Sequence, residues 1–131
     1  MLKIVFVSAL TGWDISVKET THAYFSDVYI LCDFIHILYW KFDEKDKIRV
    51  VFSNATNVTH TASSIYKSRR GTWEKDEEES LIVSDHRILE NLMSFKFKYV
   101  KPTYTGSYWC EHVSKSSTVR SGPISLTFLG T

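Results

Sequence analysis

The residues that most often carry out catalysis are scattered along this chain. Ser84, Asp85 and His86 supply the residue types of a hydrolase triad, but three neighbours in sequence do not make the geometry of a triad. The sequence has no Gly-x-Ser-x-Gly elbow and no glycine-rich phosphate loop. The histidines lack the spacing of metal ligands; they are His22, His36, His60, His86 and His112. We therefore expect a protein without enzymatic activity, bound metal or cofactor.

Two short segments concentrate charge, a basic one at residues 67–70 and an acidic one at residues 76–79. The basic segment could be a dibasic processing site or a polyanion contact, and the acidic one could bind a cation or a basic partner. Solvent exposure is the simpler interpretation, because runs of like charge avoid burial. Their opposite signs suit neutralisation across a hairpin, where each exposed pair contributes only ~0–1 kcal/mol.

The length and composition are those of one folded domain spanning residues 1–131. Hydrophobic residues make up 44% of the chain and aromatic residues 15%, which is enough to build a core. The net charge of +1 gives no general attraction to nucleic acid or to an anionic membrane. No apolar run approaches the ~20 residues of a membrane helix, so we expect any membrane anchor to lie outside this chain.

The C-terminal third contains the most informative pattern. Residues 95–100 alternate apolar and charged side chains, which is typical of a strand with one buried face. After a turn, Tyr108 precedes Cys110 by two residues, the spacing at which a buried tyrosine can bond back to the corner backbone. Upstream, Cys32 is followed by Trp40, which completes a Cys…Trp…Tyr-x-Cys pattern.

This pattern resembles the V-set, or variable type, of the immunoglobulin superfamily, over about residues 13–128. Tyr104 replaces the family's usual aspartate, so we expect the Arg–Asp bridge beneath the sandwich to be absent. Two further strings, residues 107–111 and 121–126, are similar to leukocyte receptors of the Fc-receptor group. The matching motif reads Phe95-x-Phe97-x-x-Val100-x-x-x-Tyr104-x-Gly106-x-Tyr108-x-Cys110.

The resemblance implies an all-β, V-type sandwich of two antiparallel sheets. It implies that a Cys32–Cys110 disulfide crosses the core over Trp40, with Tyr108, Phe95 and Phe97 buried nearby. The alternative of two unrelated intracellular thiols fits the strand pattern less well, and a disulfide places the domain outside the cell. Two consecutive sequons, at Asn54 and Asn57, agree with that location, and we expect at least one to be glycosylated.

The strand pattern can be divided further. The short spacing from Cys32 to Trp40 predicts a tight B–C loop. Residues 54–91 form an unusually long region, mostly loop, with possible short strands at 64–67 and 81–83. Residues 1–12 suit either a first strand, which we prefer, or part of a signal peptide. The predicted strands are 3–9 and 13–18 (A and A′), 25–33 (B), 36–42 (C), 47–53 (C′), 92–100 (E), 105–112 (F) and 119–129 (G).

Strand alternation also predicts an outward-facing set on the G-F-C-C′ sheet. An outward tryptophan is costly to leave in water, which suits an interaction patch, unless the region 54–91 or a neighbouring domain covers it. In V-set receptors this face commonly forms the ligand-binding or homophilic surface. We expect Trp13 and Trp73 to be structural anchors. The predicted face consists of Tyr39, Lys41, Trp109 and Glu111, with Arg49 and Val51 alongside.

The sequence is compatible with three functions. The first is a recognition domain of a cell-surface immune receptor or adhesion protein, which binds a protein ligand or a second copy of itself. The second is a secreted binder or decoy, from host or pathogen. The third is a sialic-acid-binding lectin, which is disfavoured because its V-set members use an arginine on strand F and residues 107–112 contain none.

Overall fold

Strands account for nearly all regular structure in the computed structural model, which describes residues 2–5, 14–19, 28–33, 42–54, 56–76, 83–89, 92–98 and 100–128. A short 3-10 helix, Pro102–Tyr104, precedes the ninth strand. None of the described helices is long and apolar enough to cross a membrane. The strands are β1 (Leu2–Val5), β2 (Asp14–Glu19), β3 (Val28–Asp33), β4 (Lys47–Asn54), β5 (Thr59–Lys67), β6 (Trp73–Lys75), β7 (Val83–Leu89), β8 (Leu92–Phe97), β9 (Gly106–Val113), β10 (Thr118–Arg120) and β11 (Ile124–Phe128).

The strands form two sheets. The large sheet has seven strands in the order β1-β11-β9-β4-β5-β6, with β10 beside β9. The small sheet has four strands in the order β2-β3-β8-β7. Every described strand pair is antiparallel. The predicted all-β, V-type sandwich of antiparallel sheets is therefore confirmed.

The core lies between the sheets and follows from strand alternation. In β3, Ile30 and Cys32 are fully buried while their neighbours are partly exposed. In β8, Phe95 and Phe97 are buried in the same alternating way, at 0% and 3% exposure. Tyr108 faces them from β9, with its ring centroid 5.7 Å from that of Phe97. Two alternating apolar faces thus meet in one interior.

A disulfide between Cys32 and Cys110 joins the small sheet to the large sheet, as predicted. The two Cα atoms lie 6.0 Å apart, and both residues are fully buried. The cross-link connects β3 to β9 across 78 positions of sequence. It therefore ties together an inner strand of the small sheet and an inner strand of the large one.

The assignment of strand C is wrong. Residues 47–53 were expected to form C′, one strand away from F, yet β4 pairs directly with β9 along all eight of its residues. Val50 lies opposite Cys110 in this ladder and is fully buried. Phe42 is in no strand, and residues 34–41, including Trp40, lie outside the described part of the chain.

The error arises because Trp40 was used to locate strand C. The prediction placed strand C around Trp40, although β4 offers an equally regular inward set in Ile48, Val50 and Phe52. These three side chains belong to the same buried core cluster as the two cysteines, and β4 pairs with β9. The tight B–C loop is wrong for the same reason, because the strand beside β9 begins only at Lys47.

The region 54–91 contains far more strand than predicted. It includes β5, β6 and β7, although only 64–67 and 81–83 were proposed as strands. The ladder between β4 and β5 shifts register between Val50 and Val51, which is a β-bulge. Residues 62–65 are consequently buried in succession, so the alternation that would reveal β5 is lost.

The predicted strand G is interrupted. Its two parts are β10 and β11, and Ser121 between them is 2% exposed. The Ser121 hydroxyl accepts a hydrogen bond from the Cys110 N–H at 2.9 Å, and the Ser121 N–H donates to the Cys110 carbonyl at 2.9 Å. Pro123, which has no N–H to donate, immediately precedes β11.

Candidate functional site

The corner before β9 is fixed by a buried tyrosine. The Tyr108 hydroxyl donates a hydrogen bond to the backbone carbonyl of Tyr104, in the 3-10 helix. Burial, and to a lesser extent the neighbouring Tyr104, raise the pKa of Tyr108 above its ordinary value. Tyr104, at the position of the family's aspartate, lies edge-on to Phe52 with a centroid distance of 6.3 Å. This corner holds β9 in place and sets which of its side chains face outward.

The candidate site lies on the outer face of the large sheet, meaning the side turned away from the core. Since Tyr108 and Cys110 point inward, Trp109 and Glu111 point outward. The Trp109 indole N–H donates to Glu111 Oε2 at 2.9 Å. From β10, the guanidinium carbon of Arg120 lies 4.5 Å from the centre of the Trp109 ring, a cation–π arrangement.

Trp109 lies on the outer face but is covered, because its indole is only 7% exposed. Arg120 stacks on its face and Glu111 binds its N–H, so neighbouring strands of the same sheet take part in covering it. Charged side chains therefore cover Trp109, and its ring does not form an exposed apolar patch.

The predicted neighbours from β4 lie directly beside Trp109 and Glu111. Val51 pairs with Trp109 and is 4% exposed, and Arg49 pairs with Glu111. These four residues therefore form one contiguous cluster across β4 and β9. Tyr39 and Lys41, the other two members of the predicted face, lie outside the described residues.

Among the residues that the structure describes, two buried polar atoms of the outer face have no hydrogen-bond partner. They are the Nε of Arg49 and the Oγ of Ser64, and Ser64 lies opposite Arg49 in the β4–β5 ladder. Leaving such buried groups unpaired costs about 1–3 kcal/mol each. Sequence reasoning missed Ser64, because the bulge in β5 hides which of its residues face outward.

The end of the large sheet near Lys47 is closed by packing among aromatic rings. His112 Nε2 and Asp46 Oδ2 form a buried hydrogen bond of 2.9 Å. The Phe42 ring lies 4.8 Å from that of His112 and 5.2 Å from that of Trp73, centroid to centroid. Trp73 thereby connects β6 to the segment that leads into β4. Trp13 lies outside the described residues.

Other chemistry-bearing groups in the described structure do not converge. The His86 ring lies 3.2 Å from the Trp73 carbonyl oxygen, which is a structural contact. Among the described residues, no group of three or more His, Cys, Asp or Glu side chains is placed to hold a metal ion. A shallow depression of about 520 Å³ on the outside of the small sheet is lined by both acidic and basic side chains, among them Asp85, Arg87 and Lys96.

The two sequons differ in their surroundings. The Asn54 side-chain oxygen accepts hydrogen bonds from the Thr56 N–H, the Thr56 hydroxyl and the Val58 N–H, at 3.0, 2.6 and 3.2 Å. Its nitrogen lies 3.1 Å from His60 Nε2. Asn57, at the tip of the same β4–β5 turn, is exposed and has a φ of 61°. Asn54 therefore organises the turn, whereas the Asn57 side chain projects from it.

Comparisons with known proteins bear on the architecture. No protein-family model matches the sequence. No curated protein matches it either. Among solved structures, the crystal structure of the swine CD8aa homodimer aligns with a TM-score of 0.53 at 13% identity, covering 95% of this chain and 94% of that chain. This chain has a V-type immunoglobulin fold.

The V-type fold gives the strands their conventional letters. Apart from β1 at its edge, the large sheet corresponds to strands G, F, C, C′ and C″, and the small sheet corresponds to A, B, E and D. In that order β9 is strand F, β4 is strand C and β5 is strand C′. The cluster around Trp109 therefore lies on the F–C centre of the V-type domain, flanked by G and C′.

Proposed function

We propose that this V-type domain is an extracellular recognition module of a cell-surface receptor or adhesion protein. It binds a protein partner through the outer face of the large sheet and performs no catalysis. The observation that carries the proposal is the cluster on that face, in which Trp109 is held beneath Arg120 and beside Glu111. Aromatic and arginine side chains with flanking charges are typical of binding hot spots.

The fixed conformation of Trp109 in this cluster supports a recognition role. Trp109 is fixed by the hydrogen bond to Glu111 and by packing against its neighbours, so its rotamer is set before a partner arrives. Arg120 is exposed above it and can exchange its contact with the ring for one with the partner. Preorganised side chains lose less conformational entropy on binding, which favours affinity from a small surface.

The disulfide supports an extracellular location, since such bonds persist in oxidising compartments. The similar swine protein is a homodimer, and a second copy of this chain is one candidate partner. The same binding face would serve a domain carried by a membrane-anchored receptor and a secreted binder.

The proposal is tested by staining a panel of cells with the fluorescent, tetramerised domain. The outer-face variant is Arg120→Glu, and its matched control is Arg87→Glu, an exposed arginine on β7 of the small sheet. We expect Arg120→Glu to weaken staining roughly tenfold or more, as for a hot-spot charge reversal, while the control stains like the wild type. Light scattering of the same proteins measures self-association.

Equal staining by both variants, or loss with Arg87→Glu alone, would contradict the proposal. The thermal unfolding midpoint is measured for each variant, because a misfolded protein also fails to bind. Only variants that keep the wild-type midpoint enter the comparison.

A further inference from the structure

The outer face contains an arginine that forms no ion pair with any other described residue. Arg49 lies at the middle of the sheet, on β4, between β9 and β5. Its Nε is buried without a hydrogen bond, and in the described part of the chain no carboxylate lies within ion-pair distance of it. A partly buried guanidinium in this condition is poorly satisfied in the free domain.

The carboxylates on neighbouring strands are already engaged. Glu111, opposite Arg49 on β9, accepts the Trp109 indole N–H through Oε2. Asp76 is paired with Lys47 at 2.9 Å, and Glu74 accepts the Tyr66 hydroxyl at 3.0 Å. Each of these carboxylates has another partner, and none of them forms an ion pair with Arg49.

A second unpartnered donor lies at the same place. Ser64 is 0% exposed and pairs with Arg49 in the β4–β5 ladder, and its Oγ makes no hydrogen bond to the described part of the chain. Since Ser64 is fully buried in the free domain, its hydroxyl can donate to an acceptor on a partner only when the side chains that cover it move on binding. The two side chains therefore place a positive charge beside a hydroxyl that has no hydrogen-bond partner among the described residues.

We propose that Arg49 and Ser64 bind the carboxylate of an aspartate or glutamate side chain on the protein partner. This inference rests on the proposed function, since it names the group recognised by the same face. The planar guanidinium fits a carboxylate through two parallel hydrogen bonds, which a lysine does not reproduce. A partner without a carboxylate at this point leaves both donors unpaired and is discriminated against.

The site is tested first without any partner, by nuclear magnetic resonance of the arginine Nε–Hε signals. The probes are N-acetyl-glutamate amide, the neutral N-acetyl-glutamine amide, and the methyl glycoside of N-acetylneuraminic acid. Arg69 and Arg70, exposed in the β5–β6 turn, are internal references for nonspecific attraction. We expect the Arg49 signal to shift saturably with the glutamate probe alone, by several times the shift of the references.

Ser64→Ala is expected to reduce the glutamate-induced shift of Arg49 while its spectrum otherwise remains that of the wild type. An Arg49 shift no larger than that of the references would overturn the proposal. A larger shift with the sialoside than with the glutamate probe would assign the carboxylate to a glycan and would also overturn it.

The second test uses Arg49→Met, which keeps the aliphatic stem but removes the unpartnered charge. We expect its thermal midpoint to equal or exceed that of the wild type, while staining of cells falls roughly tenfold. A clear drop in midpoint would indicate a structural role and overturn the proposal. If Arg120→Glu abolishes staining and Arg49→Met does not, the outer face is the binding surface but the proposed carboxylate site is wrong. If neither substitution reduces staining, the proposed function itself is contradicted.

Discussion

At the scale of single residues, Tyr108 shows how one hydroxyl fixes a corner of the sandwich. Replacing it with phenylalanine removes the hydrogen bond to the Tyr104 carbonyl and leaves that acceptor without this donor. We expect Tyr108→Phe to lower the free energy of unfolding by about 1–3 kcal/mol, measured by urea denaturation. Tyr104→Phe, which keeps the carbonyl, is the control. Equal stability of Tyr108→Phe and the wild type would contradict this role.

The same variant changes the response to alkali. Because burial raises the pKa of Tyr108 above the ordinary value of 10.0, the folded domain keeps this proton at a pH where the unfolded chain loses it. The resulting contribution to stability is complete below pH 10 and is lost as the pH rises above it. Tyr108→Phe should therefore lose less stability between neutral and alkaline pH than the wild type does.

The two sequons allow a second prediction at this scale. Asn57 is exposed on the turn, whereas both side-chain atoms of Asn54 have neighbours at hydrogen-bond distance. In a secretory host we expect the glycan on Asn57, so Asn57→Gln should remove the glycan mass in intact-protein mass spectrometry. Asn54→Gln should leave a glycan on Asn57 and lower stability instead. A glycan that persists in Asn57→Gln would contradict this assignment.

At the scale of strands, the start of β9 depends on a glycine. A Cβ on Gly106 would overlap the backbone carbonyl oxygen of Ser53, across the β4–β9 ladder. Gly106→Ala must push β4 from β9, so we expect a loss of about 1–3 kcal/mol or more in urea denaturation. Gly71→Ala is the comparison, because Gly71 has a φ of 82° but open space around it. A smaller effect at Gly106 than at Gly71 would contradict the close approach.

Strands with strict alternation could be predicted from sequence. β3, β8 and β9 were found close to their observed bounds, since each carries a period-two set of inward residues around a cysteine or phenylalanine. β5 was largely missed, because a bulge buries residues 62–65 in succession. β4 was recognised as a strand but given the wrong neighbour, which depends on long-range pairing that no local pattern contains.

The candidate site could also be predicted only in part. Alternation correctly placed Arg49 and Val51 beside Glu111 and Trp109. It could not reveal that Trp109 is nearly buried, because Arg120 comes from another strand and reaches the ring only after β10 pairs with β9. Nor could it reveal the unpartnered donors, since satisfaction of a polar atom depends on every neighbour in space.

At the scale of the whole molecule, the two faces of the large sheet have different tasks. The inner face carries the disulfide and the aromatic core, which hold the sandwich together. The outer face holds an ordered tryptophan, charged side chains and two buried polar atoms without a partner among the described residues. Polar groups left unsatisfied on a rigid scaffold are expected where a protein binds something else.

The claim that this outer face binds the partner is tested most directly by photo-crosslinking on living cells. The photoreactive residue p-benzoylphenylalanine replaces Thr118 on the outer face of β10 or, in a separate protein, Arg87 on the opposite sheet; both positions are exposed. We predict that the Thr118 protein forms a covalent adduct with a cell-surface protein or a second copy, and that the Arg87 protein does not. An adduct formed from position 87 alone would contradict the account.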